Sequence, residues 1–566
     1  MEQGKQGYTQ TLERSALRNS RFALTHKPAL IMETSWEVCH KVGGIHTVLT
    51  GRAEEMMLRH DGQILFFGPL PTDGSLPEEF EPAEVPFLSE WSAHAALPFR
   101  YQIGTWRLSS RPPVLLVSFE VTEEARNAFY YTLWERYGIC SDKGFDDYPQ
   151  AVSFSMNVAD VMASLYVFFR SERALVAIFN EWTVGAALLR LKECCPKLPT
   201  IFITHATTLG RSLASNGKEL YRYFDQYDEK IMAAELNVEA KHGVERAAAR
   251  SASLFATVSD VTARECQRFF GVDPVVLPNG FPLFGEAERA RLARQRNVVR
   301  ERILHTVSAL YGVELPPETL ISLTSGRYEY HNKGYDLVID TLYNLQEKAL
   351  PLPWVPIFAV PAWVARPRAD LQKMLQTSFS VPGTAMQVPC LTHWLHNFDT
   401  DTLTQALIRF IDSDATQKSI YPLFIPCYLD GKDGIFDTPY YDFAAACDLT
   451  LFPSYYEPWG YTPHESLALG VPTVSSSLAG FGVAMEALLG RTNGSIENGV
   501  AVITRSDGNR TEAVEAIADN VQYIDSLSQA QRSEIAQRAT ELTSYTDWAH
   551  FYDRYQEQFD RLLSAQ

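Results

Sequence analysis

Four groups of polar residues in this chain have the types and spacing to handle a phosphorylated ligand. In SYYEPWGYTPHES (454–466), Glu457 and Glu465 lie eight residues apart among four aromatics. In SGRYEYHNKG (325–334), Arg327 precedes Lys333 by six residues. An arginine fork and a lysine point charge converging near a helix start suit a diphosphate. In ITHATTLGRS (203–212), His205 precedes Arg211, and in METSWEVCHKVGGIHTV (32–48) Lys41 stands just before Gly43 and Gly44. Each group also has a plainer reading: a solvated charged loop, a packed histidine beside a surface arginine, an ordinary glycine-rich helix start.

The two glutamates differ in what the local sequence explains. Thr462 reads as a helix N-cap, Pro463 as the first helical residue and Gly470 as the stop. Thr462 and Glu465 then match a capping box, which accounts for Glu465 without a ligand. Glu457 lies outside that helix, and nothing near it rewards a carboxylate.

Short apolar runs must position these groups. PALIMET (28–34), GQILFFGPL (62–70) and ALVAIFNEW (174–182) alternate with helical patterns, and LISLTSGR (320–327), PWVPIFAVP, YPLFIPCYLD, DLTLFPS (448–454), GVPTVSS (470–476) and GVAVITR resume the alternation. Strands alternating with helices imply parallel sheets covered on both faces, so the fold class is α/β with two halves. Ligands of such sheets sit beyond the carboxyl ends of strands, at helix N-termini. A charged helical stretch, GEAERARLARQRNVVRERILHTVSAL (285–310), marks the junction. Around 367–419 the pattern turns more helical and less strand-like, a candidate oligomer contact. The last segment, DWAHFYDRYQEQFDRLL, reads as an aromatic-rich amphipathic helix that packs back across the first half.

Composition limits the partners. The net charge of −18, from 50 basic and 68 acidic side chains, opposes bulk attraction to nucleic acid or an anionic membrane. Eight cysteines without a CxxC pair show neither a disulfide framework nor zinc spacing, which fits a reducing setting. The polar first twenty residues carry no apolar signal core, and no unbroken run of about 18 apolar residues follows. The expectation is a cytoplasmic protein without membrane or nucleic-acid partners.

WEVCHKVGGIHTVL, THATTLGR, TVSDVTARE, LPNGF, GRYEYHNKG, SYYEPWGYTPHES and SLAGFG, in this order, resemble the animal and fungal type of glycogen synthase, with LWERYGI and ERAAA fitting as well. The resemblance implies a GT-B arrangement: a Rossmann-like domain at 1–283 carrying the acceptor side, a nucleotide-sugar domain at 284–540, and a C-terminal helix at 541–566 crossing back. It implies transfer of glucose from a nucleotide sugar, usually UDP-glucose, to the 4-OH at a non-reducing end of an α-1,4-glucan such as glycogen, with retention. Glu457 would lie near the donor sugar and Glu465 on the ribose. Arg211, Arg327 and Lys333 would hold the diphosphate, and His205 would lie against the transferred glucose. Lys41, Gly43 and Gly44 belong to the donor-binding turn. Tyr440 matches the aromatic stacked on the base, with Tyr441 as the alternative register, and Gly460, Tyr461 and Thr462 would offer backbone NH groups to the distal phosphate. No metal or cofactor is expected, because the cations and a helix end can stabilise the leaving diphosphate. Glu457 is read as a positioning or cation-stabilising group rather than a nucleophile.

Three departures stand out. The arginine run that senses glucose-6-phosphate in eukaryotic members keeps only Arg532 and Arg538 in QRSEIAQRATELTSYTDW, and the short ends leave no phosphorylation tail. The expectation is therefore an unregulated, bacterial-type member. Asn180 stands where the family often has His before Glu-Trp, and His331 where Arg is usual, which points to a moved donor or acceptor preference. The alternatives are another retaining GT-B transferase with a different donor or small acceptor, or a catalytically silent glucan-binding protein. Phosphorylase chemistry lacks a lysine in a pyridoxal-like setting.

Overall fold

The structure, a computed structural model, describes residues 28–348, 350–376, 383–413, 419–490 and 494–564. In the first half, β1 (Leu30–Thr34), β2 (Ile64–Leu70), β3 (Phe80–Pro82), β4 (Tyr101–Trp106), β5 (Pro113–Ser118), β6 (Leu175–Asn180), β7 (Thr200–Thr204), β8 (Leu254–Thr257) and β9 (Val275–Val276) form one sheet. Its order is β3-β4-β5-β2-β1-β6-β7-β8-β9. Every residue of β1, β2, β5, β6 and β7 is buried, as strands covered on both faces require. β3 and β4 add an antiparallel edge, too short and too polar to stand out as strands in the sequence.

The second half holds β10 (Leu320–Ser325), β11 (Trp354–Ala359), β12 (Val364–Pro367), β13 (His393–Leu395), β14 (Leu423–Ile425), β15 (Leu449–Leu451), β16 (Thr473–Ser476) and β17 (Val500–Ile503). Six of them form a parallel sheet in the order β14-β11-β10-β15-β16-β17. The segment expected to be helical around 367–419 contains helices Ala369–Gln376 and Thr402–Ile411, while 377–382 and 414–418 lie outside the described residues. It departs from expectation in one respect: β13, inside the segment, pairs antiparallel with β12 just before it. The wholly buried Arg368 donates to the carbonyls of Val388 and Leu391 and ties that pair down. Such pairing joins segments far apart in sequence, so local periodicity does not reveal it.

In each sheet the strand order turns from descending to ascending at one place while the strands there stay parallel, and those places form the cleft. The first reverses between β1 and β6, the second between β10 and β15. A crevice opens where strand order reverses. The turns after β10 and β15 carry Arg327, Lys333 and Glu457, and those after β1, β6 and β7 carry Lys41, Glu181 and His205.

The junction helix Glu286–Tyr311 attaches to the second half through Arg291 to Asp442 (2.6 Å) and Arg300 to Asp448 (2.8 Å). The helix Trp548–Leu563 packs on the first half through Trp548, Tyr552, Tyr555 and Phe559, while Phe551 packs against Trp459 of the second half. Each such ring contributes about 1.5–3 kcal/mol of apolar burial before ordering costs. Helix Gly44–Arg59 approaches it so closely that a Cβ on Gly51 would stand 2.7 Å from Trp548 Nε1. Helix Tyr148–Phe169 is the one helix among the described residues long and apolar enough to cross a membrane, and most of its residues are buried in the first core. None of the eight cysteines is in a disulfide.

Candidate active site

The turn after β10 is laid directly on the loop that leads to Glu457. Gly334 adopts φ +77°, and a Cβ there would stand 2.2 Å from the Pro453 carbonyl oxygen, so only glycine allows the approach. The approach brings Lys333 Nζ onto Glu457 Oε2 in a hydrogen-bonded ion pair, the side chains only 14% and 17% exposed. That pair is the structural reward missing from the local sequence around Glu457. Arg327 points outward and pairs with Glu329 Oε1 at 3.0 Å.

Past Glu457 the structure corrects the expected capping. The helix runs Tyr461–Ala468 and its N-cap is Gly460, at φ +107°, without a side-chain cap. Thr462 is thus inside the first turn, Pro463 is the third helical residue rather than the first, and no Thr462–Glu465 capping box forms. Gly460 turns the chain so sharply that the helix begins at once, and Pro463 is tolerated because first-turn amides need no intrahelical partner. Gly470, at φ +70°, does end the helix. Glu465 accepts instead from the Tyr441 hydroxyl at 3.2 Å. Burial pushes its carboxyl up to about 7, against the pull of that hydroxyl and of Lys41 across the cleft. Tyr440 turns elsewhere, its hydroxyl 2.8 Å from Ser325 Oγ at the end of β10.

The tyrosines of the same segment dock the two halves together. Tyr455 OH accepts from the Leu220 amide (2.8 Å) and donates to Asp507 Oδ1 (2.6 Å). Tyr456 OH donates to the buried Glu265 Oε2 (3.1 Å), and Tyr461 OH to the Gly280 carbonyl (3.3 Å) in LPNGF. Glu457 is therefore held in place from both sides of the cleft.

On the first half, Glu181 organises the floor. It closes β6 with φ +74°, a strained value for a side-chain-bearing residue. The strain is held because its carboxylate accepts from the amides of His205 (3.0 Å) and Ala206 (2.9 Å). Burial raises its pKa, partly countered by Arg211 and those amides. Desolvation by the surrounding walls would lower the pKa of Arg211, but Tyr456, Glu181, Glu329 and Glu457 around it raise it instead. Arg211, exposed to solvent, thus lies in the electrostatic field of carboxylates from both halves without an ion pair to any of them among the described residues. His205 is nearly enclosed; burial first, then Arg52 and Arg211, lower its pKa to about 3, so its ring is neutral.

Lys41 is exposed and a Cβ on Gly44, which opens the helix, would meet nothing within 4 Å, but the Gly43 amide is already taken. Glu37 Oε2 accepts from Gly43 N (2.7 Å) and His46 N (3.0 Å), occupying part of the helix end where a phosphate was expected. The structure therefore brings Glu457, Lys333 and Arg211 together around one space, with His205 beside Arg211 and Glu465 within electrostatic reach of Lys41. Arg327 lies at the rim. Glu181 and Glu37 were missed as site residues; their signal was a carboxylate just past the end of an apolar strand.

Comparisons with known proteins agree with this geometry. A family model described as "Glycogen synthase" matches residues 33–350 and 367–565. Similar curated proteins are glycogen [starch] synthase isoform 2 of Saccharomyces cerevisiae, 26% identical over 92% of this chain and 84% of the yeast protein, and glycogen [starch] synthase of Caenorhabditis elegans, 28% identical over 92% of this chain and 85% of that protein. Among solved structures, the catalytic domain of starch synthase IV from Arabidopsis thaliana, bound to ADP and acarbose, superposes with TM-score 0.55 at 13% identity, covering 95% of this chain and all of that one. A UDP-forming α,α-trehalose-phosphate synthase from Burkholderia vietnamiensis gives 0.51 at 12% identity, covering 95% of this chain and 100% of that one. These likenesses identify the two facing α/β halves as the GT-B fold. Since the family model spans most of its length, the chain belongs to the glycogen synthase family of glucosyltransferases.

Proposed function

We propose that this protein lengthens α-1,4-glucan chains with glucose taken from UDP-glucose, retaining the α configuration. The observation that carries the reading is the Lys333–Glu457 ion pair of the second half, with Arg211 of the first half in the electrostatic field of Glu457. In this reading residues 1–283 carry the acceptor side and part of the donor site, 284–540 bind the nucleotide sugar, and 541–566 brace the first half. Departure of UDP builds negative charge on phosphate oxygens; Lys333, Arg211, Arg327 and the amides of Gly460, Tyr461 and Thr462 stabilise it. That cationic set replaces a divalent metal, and turnover persists in chelator. Glu457, fixed by its ion pair with Lys333, shields the positive charge that develops on the sugar, while the leaving phosphate takes the proton of the attacking hydroxyl. Glu465 and Tyr441 address the ribose, and Tyr440 is the candidate for the base.

The test is a donor and acceptor panel following UDP and ADP release. UDP release from UDP-glucose that depends on glycogen or maltooligosaccharide supports the reading. Release driven by a hexose phosphate, or none in the presence of glucan, overturns it.

The fungal and animal relatives lend no support to a bacterial-type assignment, but a weak or absent glucose-6-phosphate response stays part of the proposal. Arg532 and Arg538 are both engaged with backbone carbonyls, of Asp525 (3.2 Å) and Glu497 (2.8 Å). Activation of several-fold by that ligand overturns this part. The segment 367–419 remains the proposed self-association surface, and a cytoplasmic location is proposed on the unpaired cysteines.

A further inference from the structure

The surroundings of His205 dictate which ring nitrogen carries its proton. Asn180, the last residue of β6, is wholly buried. Its Nδ2 lies 2.8 Å from Glu33 Oε1 and 3.2 Å from the Thr34 carbonyl oxygen. A carboxylate and a carbonyl only accept, so this end of the carboxamide must be the amino group. The other end, Oδ1, lies 3.0 Å from His205 Nε2 and only accepts, so the ring must donate from Nε2. Glu33 is held by Arg52, also wholly buried, whose guanidinium carbon lies 4.5 Å from the ring centre of Tyr555 and 5.8 Å from that of Trp548. The C-terminal helix thus closes over a buried relay that begins in the cleft. With the proton on Nε2, Nδ1 keeps its lone pair, has no hydrogen-bonding partner among the described residues and is not sealed from solvent.

We infer that Asn180 is a positioning residue that locks His205 as the Nε2–H tautomer, so that Nδ1 faces the cleft as an acceptor and the site selects a transferred hexose whose hydroxyl donates to it. The inference rests on reading the cleft as the donor-sugar site. It also explains the Asn at position 180. The residue there must accept from His205 and donate to Glu33 at once. A carboxamide does this, and a neutral imidazole does so too, giving one N–H to Glu33 and offering the other nitrogen to His205. Asn in place of His therefore keeps the polarity of the relay. Alanine supplies neither group, and aspartate opposes Glu33 with a second acceptor.

The test has two arms. In 13C,15N-histidine-labelled full-length protein without nucleotide sugar, the His205 signals are assigned by their loss in His205→Gln. The Nε2–H tautomer is expected in the wild type and in Asn180→His, and a tautomer mixture in Asn180→Ala. An Nδ1–H tautomer in the wild type overturns the inference whether or not the protein uses UDP-glucose, and this arm needs no variant of Asn180 to fold. In the kinetic arm, donors with each glucose hydroxyl in turn replaced by fluorine, which cannot donate, are compared with UDP-glucose. One such donor should lose roughly tenfold or more in kcat/KM with the wild type, as a lost hydrogen bond to a buried acceptor implies. The loss should shrink in Asn180→Ala and return in Asn180→His. Equal acceptance of every fluorinated donor by the wild type overturns the selectivity.

Discussion

Glu457 and Glu465 stand eight residues apart on one loop and helix, yet the fold treats them in opposite ways. Glu457 meets Lys333 in a close ion pair and faces Arg211 from the other half. Among the described residues Glu465 meets no cation at bonding distance; it accepts from the Tyr441 hydroxyl, and burial raises its pKa to about 7. One carboxylate is held in place by a partner that the tertiary fold brings from afar. The other is left sensitive to pH. The contrast shows that a shared segment does not imply a shared role: what decides is the charge on the opposite wall.

The largest expected effect lies on the Glu457 side. Glu457→Ala should lower kcat about 10²–10³-fold, the scale on which removing a transition-state electrostatic contact acts. The melting temperature should also fall by several degrees, because Lys333, only 14% exposed, loses the partner of a mostly buried pair. Steady-state kinetics beside calorimetry check this, and a large melting shift with kcat preserved would make the pair structural.

A middle-sized effect separates Glu465. Its pKa in the folded protein, about 7, lies above the ordinary carboxyl value near 4.5. The native state therefore binds more protons than the unfolded chain between those values, so this group's cost to stability is full above pH 7 and fades as pH falls toward 4.5. Donor binding should move the other way, because a protonated carboxyl no longer accepts from both ribose hydroxyls. KM for UDP-glucose should rise about tenfold by pH 6, as titration of one group near 7 requires. In Glu465→Gln this rise should vanish, while Glu457→Gln should keep it. A profile unchanged by Glu465→Gln breaks the comparison.

The smallest effect tests the corrected helix start. Since Thr462 caps nothing, Thr462→Ala should cost less than about 0.5 kcal/mol. Asp547, whose side chain accepts from the His550 amide at the start of the last helix, should cost about 1 kcal/mol as Asp547→Ala. Urea denaturation of both variants measures the difference, and a larger loss for Thr462→Ala restores the capping box.

Much of the frame was legible because it rests on local signals. Buried parallel strands are continuous apolar runs, so PALIMET, GQILFFGPL and LISLTSGR point to β1, β2 and β10 unaided. Glycines that permit close approach, Gly334 and Gly460, also mark the turns where the candidate site residues gather. The antiparallel additions β3, β4, β12 and β13 were hidden, since short strands that are only partly buried have weak patterns and distant partners. Within the site, the roles given to Lys333 and Glu457 came from motifs, but their contact spans 124 positions and no local rule predicts it. Glu33 in the apolar METS strand and Glu181 after FN were visible as misplaced charges, without a hint of their partners.

By itself, then, the amino-acid order determined two α/β halves, the strand ends at which polar groups collect and the family that shares those motifs, because periodicity and turn chemistry act over a few residues. Only the tertiary structure decided which charge meets which. It set Lys333 against Glu457, left Glu465 with a tyrosine, gave the Gly43 amide to Glu37, and ran Arg52, Glu33 and Asn180 behind His205. Charge pairing and desolvation depend on distances across the fold, and those distances are set when the two sheets and the last helix close on one another.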